Sequence, residues 1–162
     1  LETLYCDQTQ LTNLDLSKNT NLKLFNCSHN KLTSLDVSKN KNLQNFYCYK
    51  NQLISLDVSK NTSLIKFNCS DNQLTKLNVK NGKNDNLDIT YLNFRNNNLS
   101  CIEVDNDAYS DAKWSSIKDE SASFSENCVT PIFDLPTSIC QNATTPILKT
   151  ISDNDISETK YN

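Results

Sequence analysis

The chain has 162 residues, 36% hydrophobic and 22% charged, with a formal net charge of −3, seven Cys, one Gly, three Pro and no Met. That length holds one or two small domains, no apolar run approaches the ~18 residues of a membrane-spanning helix, and a single Gly leaves no phosphate-cradling loop, glycine linker or collagen repeat. One His, His29, leaves little for acid–base or zinc chemistry, and a start at Leu1 without Met reads as a mature fragment of a longer polypeptide.

From its first residue the chain repeats itself. Cys6, Cys27, Cys48 and Cys69 follow one another at steps of 21 residues. The opening copy carries Leu1, Leu4, Cys6, Leu11, Leu14, Leu16 and Asn19, with Thr9 where the later copies have Asn. The second runs Leu22, Phe25, Cys27, Asn30, Leu32, Leu35, Val37, Asn40, and the third Leu43, Phe46, Cys48, Asn51, Leu53, Leu56, Val58, Asn61. The fourth keeps Leu64, Phe67, Cys69, Asn72, Leu74, Leu77 and Val79. A fifth, Ile89, Leu92, Phe94, Asn97, Leu99, Ile102 and Val104, follows after 25 residues instead of 21. The extra residues fall in Asn81 to Asn86, around Gly82, and read as a surface loop.

A fixed period of this size predicts a solenoid in which each copy is one coil. Apolar–x–apolar alternation, a β signal, occurs twice per copy, as Leu/Phe-x-Cys and as Leu-x-Val. Two short strands per coil are therefore expected, forming parallel sheets on opposite sides of the stack. One coil buries too little apolar surface to offset the entropy of ordering it, so only the stack folds. The 25 Asn then acquire a cause. An inward Asn offers two donors and an acceptor to backbone groups that a bending chain would leave unpaired. Asn30, Asn51, Asn72 and Asn97 are expected to form one ladder, and Asn19, Asn40 and Asn61 a second.

The frame L-x-x-[LF]-x-C-x-x-N-x-L-x-x-L-D-[LV]-S-K-N resembles the leucine-rich repeats, specifically the 21-residue bacterial type called IRREKO, in which two half-repeats share L-x-x-L-x-L-x-x-N. The resemblance spans residues 1–104. It implies a mainly β, right-handed solenoid of about five coils, with binding through the face of the first strand.

After Val104 the charge changes sign: residues 1–104 hold 12 basic and 9 acidic side chains, residues 105–162 hold 4 and 10. A short helix is expected over Asp105 to Ser116, capped by Asp107, with Tyr109 and Trp114 as its apolar bulk. A solenoid end exposes core and strand edges, and Trp114, Ile117 and Phe124 are the candidates to cover them. The stretch from Cys101 through Trp114 and Phe124 to Cys128 resembles the C-terminal cap of repeat proteins exported by flavobacteria and their Bacteroidetes relatives. That resemblance implies a Cys101–Cys128 disulfide; from the residues alone, a free Cys101 with Cys128 bridged to Cys140 stays open. Residues 105–128 are thus read as a cap. Residues 129–162, richer in Pro and Thr, are read as a linker and the start of a truncated following β-domain, with Cys140 unpaired within it.

Metal and cofactor readings are weak. Thiols stacked in one line about 4.8 Å apart do not converge tetrahedrally as zinc requires, so Cys6, Cys27, Cys48 and Cys69 read as small buried hydrophobes. Asp15, Asp36 and Asp57 form an acidic column beside Lys18, Lys39 and Lys60, which reads as a solvated mixed-charge face rather than a calcium stripe. No cofactor and no catalytic constellation are expected.

Copies within one chain can be compared with each other. Outward positions of the second strand recur almost unchanged as Asp-Leu/Val-Ser-Lys-Asn, whereas those of the first differ in every coil: Tyr5/Asp7, Asn26/Ser28, Tyr47/Tyr49, Asn68/Ser70 and Asn93/Arg95. Repetition suits a scaffold and variation suits recognition. Tyr5, Asp7, His29, Tyr47, Tyr49, Lys50, Asp71 and Arg95 are the candidate partner-binding residues, with Tyr47 and Tyr49 the strongest anchors. Drift on an unused surface is the competing explanation. The function expected is a non-catalytic, secreted or bacterial cell-surface module for adhesion or recognition, binding a protein or surface glycan. The alternative is a structural spacer or self-assembling element, with end-to-end self-association through the uncovered coil at Leu1. The repeats are barely basic and give no support for nucleic acid.

Overall fold

The computed structural model describes residues 1–128, which form one compact unit. The linker and following domain expected at 129–162, with Cys140, lie outside the described residues. The strands are β1 (Thr3–Tyr5), β2 (Leu24–Asn26), β3 (Asn45–Tyr47), β4 (Ser55–Asp57), β5 (Lys66–Asn68), β6 (Lys76–Asn78), β7 (Cys101–Glu103) and β8 (Ser123–Ser125). The helix α1 spans Asp107–Trp114. All strand pairs are parallel. One sheet runs β1-β2-β3-β5 and the other β4-β6-β7-β8.

Register confirms the period. Leu4 pairs with Phe25, Phe25 with Phe46, and Phe46 with Phe67, each step being one repeat. Because identical residues land over each other, the rings of Phe25, Phe46 and Phe67 stack at 5.6 and 5.5 Å between centroids, and Phe94 follows at 5.6 Å. Leu22, Leu32, Leu43, Leu53, Leu64 and Leu74 fill the rest of a fully buried core. Such a stack of parallel strands and inward leucines is leucine-rich-repeat-like.

The expectation of two strands per coil holds only in part. Leu14-x-Leu16 and Leu35-x-Val37 form no strand; the second sheet begins at β4 and reaches its fourth strand only by taking β8 from beyond the repeats. The lengthened copy departs the other way. Asn84–Asn86 and Ile89–Tyr91 form 3-10 turns, and its first-strand position keeps a single bridge, Asn68 to Asn93.

The first Asn ladder is present in full, and the second from Asn40 onward; Asn19 takes part only through its backbone carbonyl, which accepts from Asn40. Asn51 shows the first: its amide nitrogen donates to the Cys27 and Cys48 carbonyls (3.0 Å each), and its oxygen accepts from the Gln52-adjacent coil below through the Leu32 amide (3.1 Å). Asn30, Asn72 and Asn97 repeat the pattern. In the second ladder Asn61 donates to the Val37 and Asn40 carbonyls, while the buried oxygens of Asn40 and Asn61 have no partner among the described residues. The segment expected to be a surface loop corrects the sequence reading. Asn81 and Asn84 are buried, and Asn81 donates to the Asn61 carbonyl as the next rung.

The C-terminal end is closed. Trp114 is buried, edge-on to Phe94 and Phe124 at 6.4 and 6.0 Å, with Ile117 and Phe124 also buried. Cys101 and Cys128 are disulfide-bonded, joining the start of β7 to the segment just after β8. The helix begins one residue later than Asn106, which is its cap: the Asn106 side-chain oxygen accepts from the Tyr109 amide at 2.7 Å. Asp107, expected to cap, is instead the first helical residue, where its charge suits the helix dipole.

Two carboxylates stand in for a missing next coil. In interior turns the amides of Asn30, Asn51 and Asn72 donate to the carbonyl of Lys50, Asp71 and Asn96 in the following coil. At the last turn the Asn96 and Asn97 amides donate to the two oxygens of Asp119 at 3.0 Å each. On the other side Asp105 accepts from the Gly82 and Asn84 amides.

Candidate interaction face

The candidate residues sit on the outer surface of the β1-β2-β3-β5 sheet and the turns leaving it. Register aligns Tyr5, Asn26, Tyr47 and Asn68 in one column, extended to Asn93 by the bridge. Tyr5 is exposed at 63%, whereas Tyr47 and Tyr49, expected to be exposed, are half-buried. Burial follows from neighbours two residues along and one coil away. The His29 and Tyr49 rings meet edge to face at 5.2 Å, and Tyr47 lies close enough to Lys66, Tyr91 and Tyr5 to feel their charges. Removal from water pushes the Tyr47 phenol up, and the Lys66 ammonium opposes that shift.

Half of the variation across this face is structural. The side-chain oxygens of Asn26, Asn68 and Asn93 accept from the amides of Ser28, Ser70 and Arg95, each at 3.0 Å, and so turn the chain out of the strand. Ser28 and Ser70, expected to point outward, are buried. The column Gln8, His29, Lys50, Asp71 and Asn96 lies in the left-handed region, φ 55° to 58°. These positions are tight turns first, which explains the polar and amide-rich choices there. Asp71 is held by Asn96 (2.8 Å) and Ser70 (2.9 Å), and Asp7 by Gln8 (3.3 Å).

What remains without a side-chain hydrogen bond among the described residues is Tyr5, His29, Tyr47, Tyr49, Lys50 and Arg95, joined by Tyr91. Sequence reading missed Tyr91 and Lys66. Tyr91 enters through the lengthened repeat, off the first-strand alternation, and Lys66 is in phase with it but one outward position before the pair that was read. The Lys66 ammonium sits 3.8 Å over the Tyr91 ring. Beside them is an open groove of about 320 Å³, lined by Tyr47, Asn68, Tyr91, Asn93 and Arg95 among others.

The opposite side differs. Asp15, Asp36 and Asp57 accept from the amides of Ser17, Ser38 and Ser59 at 2.7–2.8 Å, and Asn78 does the same for Lys80. Those bonds hold Asp15 and Asp36 below the usual carboxylate range. The repeated Asp is thus a turn-forming acceptor. No group of three or more His, Cys, Asp or Glu able to hold a metal occurs among the described residues. The thiols of Cys27, Cys48 and Cys69 are buried, which pushes their titration far up, while Cys6 is half-exposed.

Parallel strands in 21-residue register, stacked leucines and phenylalanines, a line of inward thiols and a disulfide-closed end define a leucine-rich-repeat-like fold. Among solved structures the chain is similar to the functional domain of InlJ from Listeria monocytogenes, which includes a cysteine ladder, with 28% identity and a TM-score of 0.54. The similarity covers 64% of this chain and 27% of that one, so the chain spans about a quarter of that protein's length. No protein-family model and no curated protein matches the chain.

Proposed function

We propose that the chain is a non-catalytic recognition or adhesion module that binds a protein partner through the outer face of the β1-β2-β3-β5 sheet. The observation that carries this is the asymmetry between the two sides. On the second side the recurring Asp15, Asp36 and Asp57, with Asn78, and the inward Asn40 and Asn61 all bond backbone groups. On the first side the side chains of Tyr5, His29, Tyr47, Tyr49 and Arg95 bond none among the described residues, and exposed or half-exposed aromatic and Arg side chains are those that anchor interfaces. In this reading residues 1–104 are a right-handed solenoid of five coils and residues 105–128 its cap, with Lys50, Asp7 and Asp71 at the rim of the contact. A secreted or bacterial cell-surface setting is supported by the disulfide, which persists in oxidising compartments, and by the likeness to InlJ. No helix among the described residues is long and apolar enough to cross a membrane.

The test places a photo-crosslinking residue at Tyr49 or at Lys39 and exposes the chain to cell-surface protein extracts. Capture from Tyr49 that is lost on Tyr47→Ala with Tyr5→Ala supports the reading; equal capture from Lys39 refutes it. A second reading, a spacer or self-assembling element, draws on the way successive coils add to one another in parallel register. Sedimentation separates the two: a monomer at all concentrations argues against assembly.

A further inference from the structure

The groove beside Tyr91 has a chemical character of its own. Arg95 lines it and Lys66 stands over the ring of the lining Tyr91, and neither makes a salt bridge among the described residues, where the one ion pair is Lys23 with Glu2. Asn68 and Asn93 also line it. Their side-chain oxygens are committed to the Ser70 and Arg95 amides, which fixes each carboxamide and leaves its NH₂ group without a partner among the described residues. Tyr47, Tyr91, Thr90 and Ser116 add hydroxyl groups. No carboxylate among the described residues lines the groove. The acidic residues nearest in sequence are engaged by other groups, Asp88 by the Thr90 amide at 3.0 Å, Asp71 by Asn96 and Ser70, and Asp119 by the Asn96 and Asn97 amides at 3.0 Å. A surface of fixed donors with two cations outside any salt bridge, and no carboxylate among the described lining residues, is complementary to an acceptor-rich anion.

The groove also exists only because of two departures from the repeat. The four-residue lengthening brings in the 3-10 turn that carries Tyr91, and the cap supplies Ser116 and Ile117. Neighbouring coils, which lack both, present a plain strand face instead. Its volume of about 320 Å³ suits one or two side chains rather than a folded surface.

We propose that this groove receives an acidic segment of a protein partner, an Asp or Glu carboxylate lying between Lys66 and Arg95 while the Asn68 and Asn93 amides donate to it. The proposal rests on the reading of this face as the contact face and names the part of it that selects for charge. An aromatic wall beside the cations lowers the local dielectric and strengthens the pairing relative to an open surface. Raising salt weakens the interaction, since both cations remain reachable by solvent.

The experiment is a titration of isotope-labelled chain with oligo-L-glutamate, followed by backbone amide NMR shifts, with oligo-L-lysine and a heparin oligosaccharide in parallel. Oligo-glutamate is expected to shift amides of residues 66–68 and 90–95. Lys66→Gln together with Arg95→Gln weakens it roughly five- to tenfold, and Arg95→Gln alone by about half of that in logarithmic terms, as for solvent-reachable ion pairs. Lys39→Gln on the other side leaves it unchanged. Shifts confined to Tyr5, His29 and Tyr49 overturn the groove but keep the contact face. Shifts at Lys18, Lys39 and Lys60 overturn both. Heparin bound in the groove with oligo-glutamate unbound overturns the acidic protein segment in favour of an acidic glycan.

Discussion

The two ends of the stack are built differently. Near Leu1 the coils are joined by one sheet and the Asn ladders; Leu14-x-Leu16 and Leu35-x-Val37 make no strand, and Leu4, Cys6, Leu11 and Leu14 are only partly buried. Near Cys128 the same repeat is held by the second sheet, by Trp114 over the phenylalanine column, by two carboxylates and by a disulfide. The difference teaches that the repeated residues supply the shape, whereas rigidity at an end comes from residues outside the repeat. In a one-dimensional stack each coil is stabilised by its neighbours, so a coil joined to the next through one sheet opens more readily than one joined through two.

That contrast can be broken in several ways. The largest effect is expected from Trp114→Ala, which empties a fully buried site against Phe94 and Phe124 and costs about 3–5 kcal/mol in urea unfolding. Leu4→Ala at the other end, already half-exposed, is expected to cost about 1–2 kcal/mol; equal losses would end the distinction. Next comes reduction of Cys101–Cys128. Chain-entropy reasoning gives roughly 3–4 kcal/mol for a loop of this size, read as a lower urea midpoint with dithiothreitol. An unchanged midpoint would mean that the cap holds by packing alone.

Asp119→Ala sharpens the contrast at smaller scale. It strips the acceptors from the Asn96 and Asn97 amides and is expected to cost about 1–2 kcal/mol, with faster hydrogen exchange at those two amides and none at Asn51. Smallest in energy, and simplest to measure, is thiol labelling. A maleimide reagent should modify Cys6 in the native protein and leave Cys27, Cys48 and Cys69 intact until denaturant is added. Labelling rises with pH, because the thiolate is the nucleophile and partial burial raises the Cys6 titration above its ordinary range. Equal labelling of all four thiols would contradict the buried ladder.

Much of this molecule was legible before any coordinates. The Cys, Phe and Leu columns, the first Asn ladder, the second from Asn40 onward and the covering roles of Trp114, Ile117 and Phe124 follow from spacing, because a period repeated several times leaves one way to stack it. The errors cluster where the period breaks. Asn81 and Asn84 looked like loop residues because four inserted positions shift the frame, yet their carboxamides complete the same task as Asn40 and Asn61. Ser28 and Ser70 looked outward by alternation, but a three-residue strand ends before them and the chain has already turned. Tyr91 and Lys66 were invisible as a pair because nothing in the repeat predicts that a lengthened coil will place one beside the other.

The amino-acid sequence by itself determined that the chain winds with a 21-residue pitch and which side chains face inward, since burial of apolar residues at a fixed spacing admits a single register. Only the tertiary structure decided which outward residues are free. An Asn on a strand face looks the same in a sequence whether its oxygen holds the next turn or waits for a partner, and that depends on where the chain bends in three dimensions. The same holds for the groove: its cations and amides come from two successive coils and its far wall, Ser116 and Ile117, from the cap, and they meet only once the stack is closed.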